Sequence, residues 1–160
     1  MEIHLDSIDF DVVTIIDRNG NKASYSIQED LKIDEINLNK EFMEQSSRFA
    51  WWSNLSDIVK RYQEAEQRKL ETLGAQLNLS IRQQYEQQGK KPTKDMIDSA
   101  IKINQDYQNQ ERNVEEWNYK YNQLNSVVKA FQQRVNALTH LGAELRQTNK
   151  NGGITNPFSH

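Results

Sequence analysis

From Val114 to Leu145 the chain reads VEEWNYKYNQLNSVVKAFQQRVNALTHLGAEL, and its apolar positions recur at alternating steps of three and four. Val114, Trp117, Tyr121, Leu124, Val128, Phe131, Val135 and Leu138, then Gly142 and Leu145, make one seam through more than four heptads. The positions between them are largely Asn, Gln and charge. That period is helical and coiled-coil-like, so a second helical face is needed to cover it.

Such a face lies upstream. From about Asn37, the residues Leu38, Phe42, Phe49, Trp52, Leu55, Val59, Tyr62, Leu70, Leu73, Leu77, Ile81 and Tyr85 track one broad side of a helix. No proline interrupts them, and a continuous helix to about Gln87 would be roughly 75 Å long at about 1.5 Å per residue. Gly74 is the one weak point and the place for a kink, since glycine costs about 1 kcal/mol there relative to alanine. In EQQGKKPT, Gly89 suits a C-cap, Pro92 forbids continuation and Thr93 is placed to cap the next helix. That helix, KDMIDSAIKI, carries Met96, Ile97, Ala100, Ile101 and Ile103 mostly on one side. The polar NQDYQNQ either breaks it or lets it run on into the seam. The expected fold is mainly α: a long antiparallel helical hairpin with coiled-coil-like packing over residues 28–147.

Residues 1–27 follow another period. FDVVTIID and KASYSI are short β-branched and aromatic runs separated by RNGN. Asn-Gly between such runs predicts a β-hairpin with a type I′ turn, which needs positive φ at both central residues. An isolated hairpin is marginal in water, so this one should dock on a helix or pair with a neighbouring subunit. Residues 148–160 are rich in glycine and asparagine and read as a disordered tail, with NPFSH its frayed end.

Only 36% of the chain is hydrophobic. A compact globule of this length would want more apolar surface to offset chain entropy, whereas elongated helices need less, and oligomerisation supplies the rest. A two-helix hairpin is too thin to hide Phe49, Trp51, Trp52, Trp117, Tyr121 and Phe131. These aromatics are expected at an interface between copies of the chain. The absence of cysteine excludes disulfides, thiolate nucleophiles and zinc ribbons, and fits a reducing compartment. No window approaches the roughly 18 apolar residues of a membrane span. The acidic N-terminus lacks the basic region of a signal peptide, so a cytoplasmic protein is expected.

Net charge is −3 but unevenly spread. Residues 1–37 carry nine acids and three bases, whereas Lys60–Lys94 holds eight bases and four acids. Such asymmetry fits a polyanion partner, and a solvated helix face accounts for it more simply. Arg61, Arg68 and Arg82 fall on one heptad track, flanked by Lys60 and Lys69, with Lys90 and Lys91 on the turn and Tyr62 and Tyr85 interleaved. Cations that follow phosphates and rings that stack bases hold single-stranded nucleic acid. The two tyrosines also lie on the apolar stripe and serve a core equally well. His4, His140 and His160 have no ligand spacing, and no Walker A, GxGxxG, HExxH or G-x-S-x-G pattern occurs. Glu64, Glu66 and Glu71 stand three or four residues from Arg61, Arg68 and Lys69, as helix-surface ion pairs do. Neither catalysis nor a metal or cofactor is expected.

The run IQEDLKIDEINLNKEFMEQSSRFAWWSNLSDIVKRYQEAEQRKL resembles the first half of the UvsY-type recombination mediators of tailed phages. IRQQYEQQG resembles that family's Arg-x-x-Tyr helix end and glycine turn, and SVVKAFQQRVNALTHLGAELR its terminal helix. The likeness runs from about Ile27 to Gln147, in pattern and order of elements rather than in identities. It implies a helical ring of copies in the host cytoplasm. That ring binds single-stranded DNA without sequence preference and helps a RecA-like recombinase displace the single-strand binding protein. It also implies that Arg82, and then Arg68 and Lys69, contact DNA. The family's lysine two positions before that arginine is replaced here by Ser80, and residues 1–27 lie outside the likeness. A structural coiled-coil scaffold or adaptor of a phage assembly, without DNA binding, suits the heptads and composition equally.

Overall fold

Alternating side chains in the first strands build the sheet, although one of its strands is disguised. The structure, a computed structural model, describes residues 3–152. Strands β1 (His4–Asp9), β2 (Val12–Ile16) and β3 (Lys22–Ser26) form an antiparallel sheet in the order β1-β2-β3. The expected hairpin is therefore β2–β3, and a third strand precedes it. A bulge hides β1 from the pattern: Asp6 has no partner, so the pairing moves from Leu5↔Ile15 to Ser7↔Thr14. Leu5 and Ile8, three residues apart, thus reach the face shared by Val13 and Ile15. The β2–β3 turn also departs from type I′. Gly20 takes positive φ, Asn19 does not, and Asp17 closes the loop by accepting from the amides of Asn19 (2.8 Å) and Asn21 (2.9 Å). Those bonds, the Asn21 amide foremost, hold the Asp17 carboxyl below its ordinary pKa.

Four helices follow: α1 (Ile27–Leu31), α2 (Leu38–Gln87), α3 (Lys94–Ile103) and α4 (Gln105–Gly152), with a 3₁₀ turn at Glu35–Asn37. Local chemistry sets their ends. Ser26 accepts from the Glu29 amide to cap α1, and Thr93 accepts from the Met96 amide to cap α3, as its sequence position predicts. Gly89, at φ 69°, closes α2 with two bonds, Lys90 N to Tyr85 O and Gly89 N to Glu86 O. This is a Schellman cap. The break between α3 and α4 falls at Asn104, which is extended and accepts from the Tyr107 amide, so most of NQDYQNQ belongs to α4. Residues 148–152, expected in a disordered tail, are the last turn of α4; 153–160 lie outside the described residues. Among the described residues no helix is long and apolar enough to cross a membrane.

The chain divides into two units, Met1–Ser56 with Leu124–His160, and Asp57–Gln123. In each, rising numbers on α2 meet falling numbers on α4, so the helices pack antiparallel. In the first unit, Gln45 donates to the Phe131 carbonyl (2.9 Å), and a β-carbon built on Gly142 would lie 3.3 Å from the Phe42 ring. The sheet docks on this pair through Tyr25, whose ring centroid is 4.6 Å from that of Trp51. Trp51 meets Trp52 edge-on, and Trp52 stacks on Phe131. In the second unit, Tyr62 stacks on Trp117 at 5.1 Å, Gln110 donates to the Glu66 carbonyl and carboxylate, and the Tyr107 ring faces Gly74.

Two expectations change here. Trp52 and Phe131 are each 0% exposed in a single chain. The two helices are not alone in this packing: Trp51, which meets Tyr25 of the sheet, lies against Trp52, and Trp52 Nε1 donates to Asp30 Oδ2 of α1 (3.0 Å). Neither ring is open to another copy. Phe49, Trp51, Trp117 and Tyr121 remain half-buried. The α4 seam also changes in part. Val114, Leu124, Val127, Phe131, Arg134 and Leu138 are buried, while Val135 is 44% exposed. Leu124, Phe131 and Leu138 keep their heptad places, and only the alternate positions change, Val127 and Arg134 entering the core where Val128 and Val135 were expected.

Candidate nucleic-acid interface

All seven predicted cationic residues lie in the second unit and are exposed. Lys60, Arg61, Arg68, Lys69 and Arg82 stand on α2, whose Val59, Tyr62, Leu70, Leu73 and Leu77 turn inward. Arg61, Arg68 and Arg82 thus share the outer side of the helix. Lys90 and Lys91 follow its C-terminal cap, where a positive charge also complements the helix dipole.

The electrostatics temper this track. Lys69 Nζ lies 2.6 Å from Glu66 Oε1 and holds that carboxyl below its ordinary pKa, with Gln110 assisting against burial. Arg82 Nε donates to Asn78 Oδ1 (2.8 Å). Glu64, Glu71 and Glu86 are exposed on the same helix, and the unit as a whole carries eleven bases and eleven acids. The expected interleaving of aromatic rings fails at Tyr62, whose face is covered by Trp117, and Tyr85 is half-buried. The face therefore presents exposed cations without its best candidate for base stacking. Among the described residues, no group of three or more His, Cys, Asp or Glu is placed to hold a metal ion.

A second polar constellation was not visible to pattern reading. Arg134, 4% exposed, sits in the core of the first unit. Its guanidinium donates to Gln45 Oε1 (2.6 Å), to the carbonyls of Leu31 (2.9 Å) and Lys32 (2.8 Å), and to the Glu41 carboxylate. Burial alone would raise the Glu41 pKa. The Arg134 bond, the Asp34 amide and the charges of Arg134 and Arg48 outweigh it and hold Glu41 below its ordinary value. Arg48 extends the group, bonding Glu44 Oε2 (2.7 Å) and the Asp30 carbonyl (2.9 Å). This network ties the segment after α1 to both long helices. Its one sequence signal is the gap in the α2 stripe between Phe42 and Phe49, where Gln45 stands at a core position.

No protein family, characterised protein or solved structure matches the chain.

Proposed function

We propose that this chain is a recombination mediator. It assembles with other copies, binds single-stranded DNA through its phosphates, and helps a RecA-like recombinase load where the single-strand binding protein sits. The observation that carries the reading is the outward cationic track of Arg61, Arg68 and Arg82 with Lys60, Lys90 and Lys91. The resemblance across Ile27–Gln147 supports it. One copy has no surplus of positive charge in this unit, so useful affinity depends on many copies acting on one strand. The half-buried Phe49, Trp51, Trp117 and Tyr121 leave apolar surface for such assembly.

Titration with oligo(dT) at increasing salt tests it. Binding should weaken with a slope of about −0.7 per phosphate neutralised. No binding at low salt would remove DNA as the partner. A second reading, a structural helical adaptor, is favoured by the equal count of acids and bases in the second unit and by the covered Tyr62 ring. It predicts that reversing Arg61 and Arg82 leaves every partner bound.

A further inference from the structure

The tip of the β1–β2 turn breaks an elementary rule of backbone conformation. Phe10 is its first central residue and has φ 37°, the only positive φ among the described residues that are not glycine. A bulky residue there is a conformational outlier; two-residue hairpin turns of this kind favour glycine at that place. The fold nevertheless holds it firmly. Asp11 accepts from the Ser26 hydroxyl (2.7 Å) and the Gln28 amide (2.7 Å), and its carbonyl accepts from the Ile27 amide (2.8 Å). The strained turn is thereby bound to the start of α1. The residue so presented is 86% exposed; Asp9 and Val12, close to it in the chain, are exposed, and the Asp11–Gln28 bond brings in α1, where Glu29 is exposed. An aromatic held outward on a rigid, acidic tip has the form of an interface anchor, because little conformational freedom is lost when it docks.

The second unit offers a seat of opposite character. Along one side of α2, Ala65, Thr72 and Leu73 floor a shallow hollow, with Arg68, Lys69 and Gln76 around it. Short side chains at Ala65 and Thr72 leave room above the helix, and the two cations line the same hollow, Lys69 also pairing with Glu66. We propose that Phe10 of one copy seats in this hollow on a second copy, with Asp9 and Glu29 facing Arg68 and Lys69. Knob and seat are different surfaces, so the contact is heterologous and propagates from copy to copy, closing into a ring if the rotation permits. It specifies the self-association in the proposed function and requires no DNA.

Sedimentation of the full chain in DNA-free buffer, across a concentration series to about 100 µM, tests this. The unaltered chain should grow in size with concentration. Phe10→Asn suits the positive φ and removes the ring, and Arg68→Glu with Lys69→Glu inverts the rim; each should weaken association by about tenfold or more. Mixing the two variants restores one good interface per pair, so the mixture should stop at dimers. A single copy at every concentration, or Phe10→Asn associating as strongly as the unaltered chain, would overturn the proposal. Oligo(dT) binding is read separately. Association without DNA binding would leave this interface standing and remove the mediator, whereas DNA binding by a single copy would remove this interface and the need for assembly and leave only the DNA contact.

Discussion

Arg134 is the residue on which most of the first unit's polar order depends. It is a buried cation whose donors go to Glu41, Gln45 and the carbonyls of Leu31 and Lys32. Arg134→Leu leaves the Glu41 charge in the core without its main partner and should cost about 3–5 kcal/mol in urea unfolding. Adding Glu41→Leu should recover part of that loss, since the two carbonyls still lack their donor. Glu41 also gives the fold an acid limit. Its folded pKa lies below its ordinary value of 4.5. Its stabilisation is therefore full above that value and disappears as pH falls through the lowered one. Urea midpoints measured from about pH 6 down to about pH 3 should fall in the unaltered chain and flatten in Glu41→Gln, from a lower start. Phe10 makes the opposite case, a residue whose conformation costs stability. Phe10→Asn should raise the thermal midpoint, by relief of about 1 kcal/mol or more of backbone strain.

Among the elements, α2 shows how far local chemistry reaches. Its end is set by Gly89 and its Schellman bonds, and the following helix by Thr93, all visible as residue types at the right spacing. Gly74, expected as a weak point, lies within the continuous helix Leu38–Gln87. A β-carbon there would lie 3.5 Å from Tyr107 Cε2, an ordinary van der Waals contact. Gly74→Ala should therefore stabilise the helix, by up to about 1 kcal/mol, read as a higher unfolding midpoint. The sheet was less legible. The β2–β3 hairpin announces itself through alternation and Asn-Gly, but the unpaired Asp6 breaks the period of β1, so Leu5 and Ile8 do not look like one face. In α4, Val128 and Val135 satisfy a heptad on paper, yet Val127 and Arg134 occupy the core.

At the scale of the whole molecule, charge is the property most readable from sequence and the most easily misjudged. The basic window on α2 is real and its arginines face outward, but the acids of the same unit balance it in number. Reversal of Arg61, Arg68 and Arg82 to Glu should move the thermal midpoint by no more than about 5 °C, because exposed substitutions move stability little. The same variant should lower oligo(dT) affinity and reduce the salt slope by about 0.7 for each phosphate it no longer neutralises. The aromatic surplus was misjudged for a related reason. Composition suggests that a thin hairpin cannot cover its rings, but does not show that Trp52 and Phe131 will be fully buried within one chain.

Local rules suffice wherever an outcome depends on neighbours in the chain. Helical and strand periods, the caps at Ser26, Thr93, Gly89 and Asn104, and the exposure of the α2 arginines belong to that class, because their causes lie within a turn or two of helix. Only the folded chain decides what depends on partners far away. Arg134 faces inward because a carbonyl 103 residues distant and a carboxylate 93 residues distant meet it there. A hydrophobic pattern assigns that place to Val135, since a pattern ranks residues by their own affinity for water. The core ranks them by whether their hydrogen bonds can be satisfied where they come to rest.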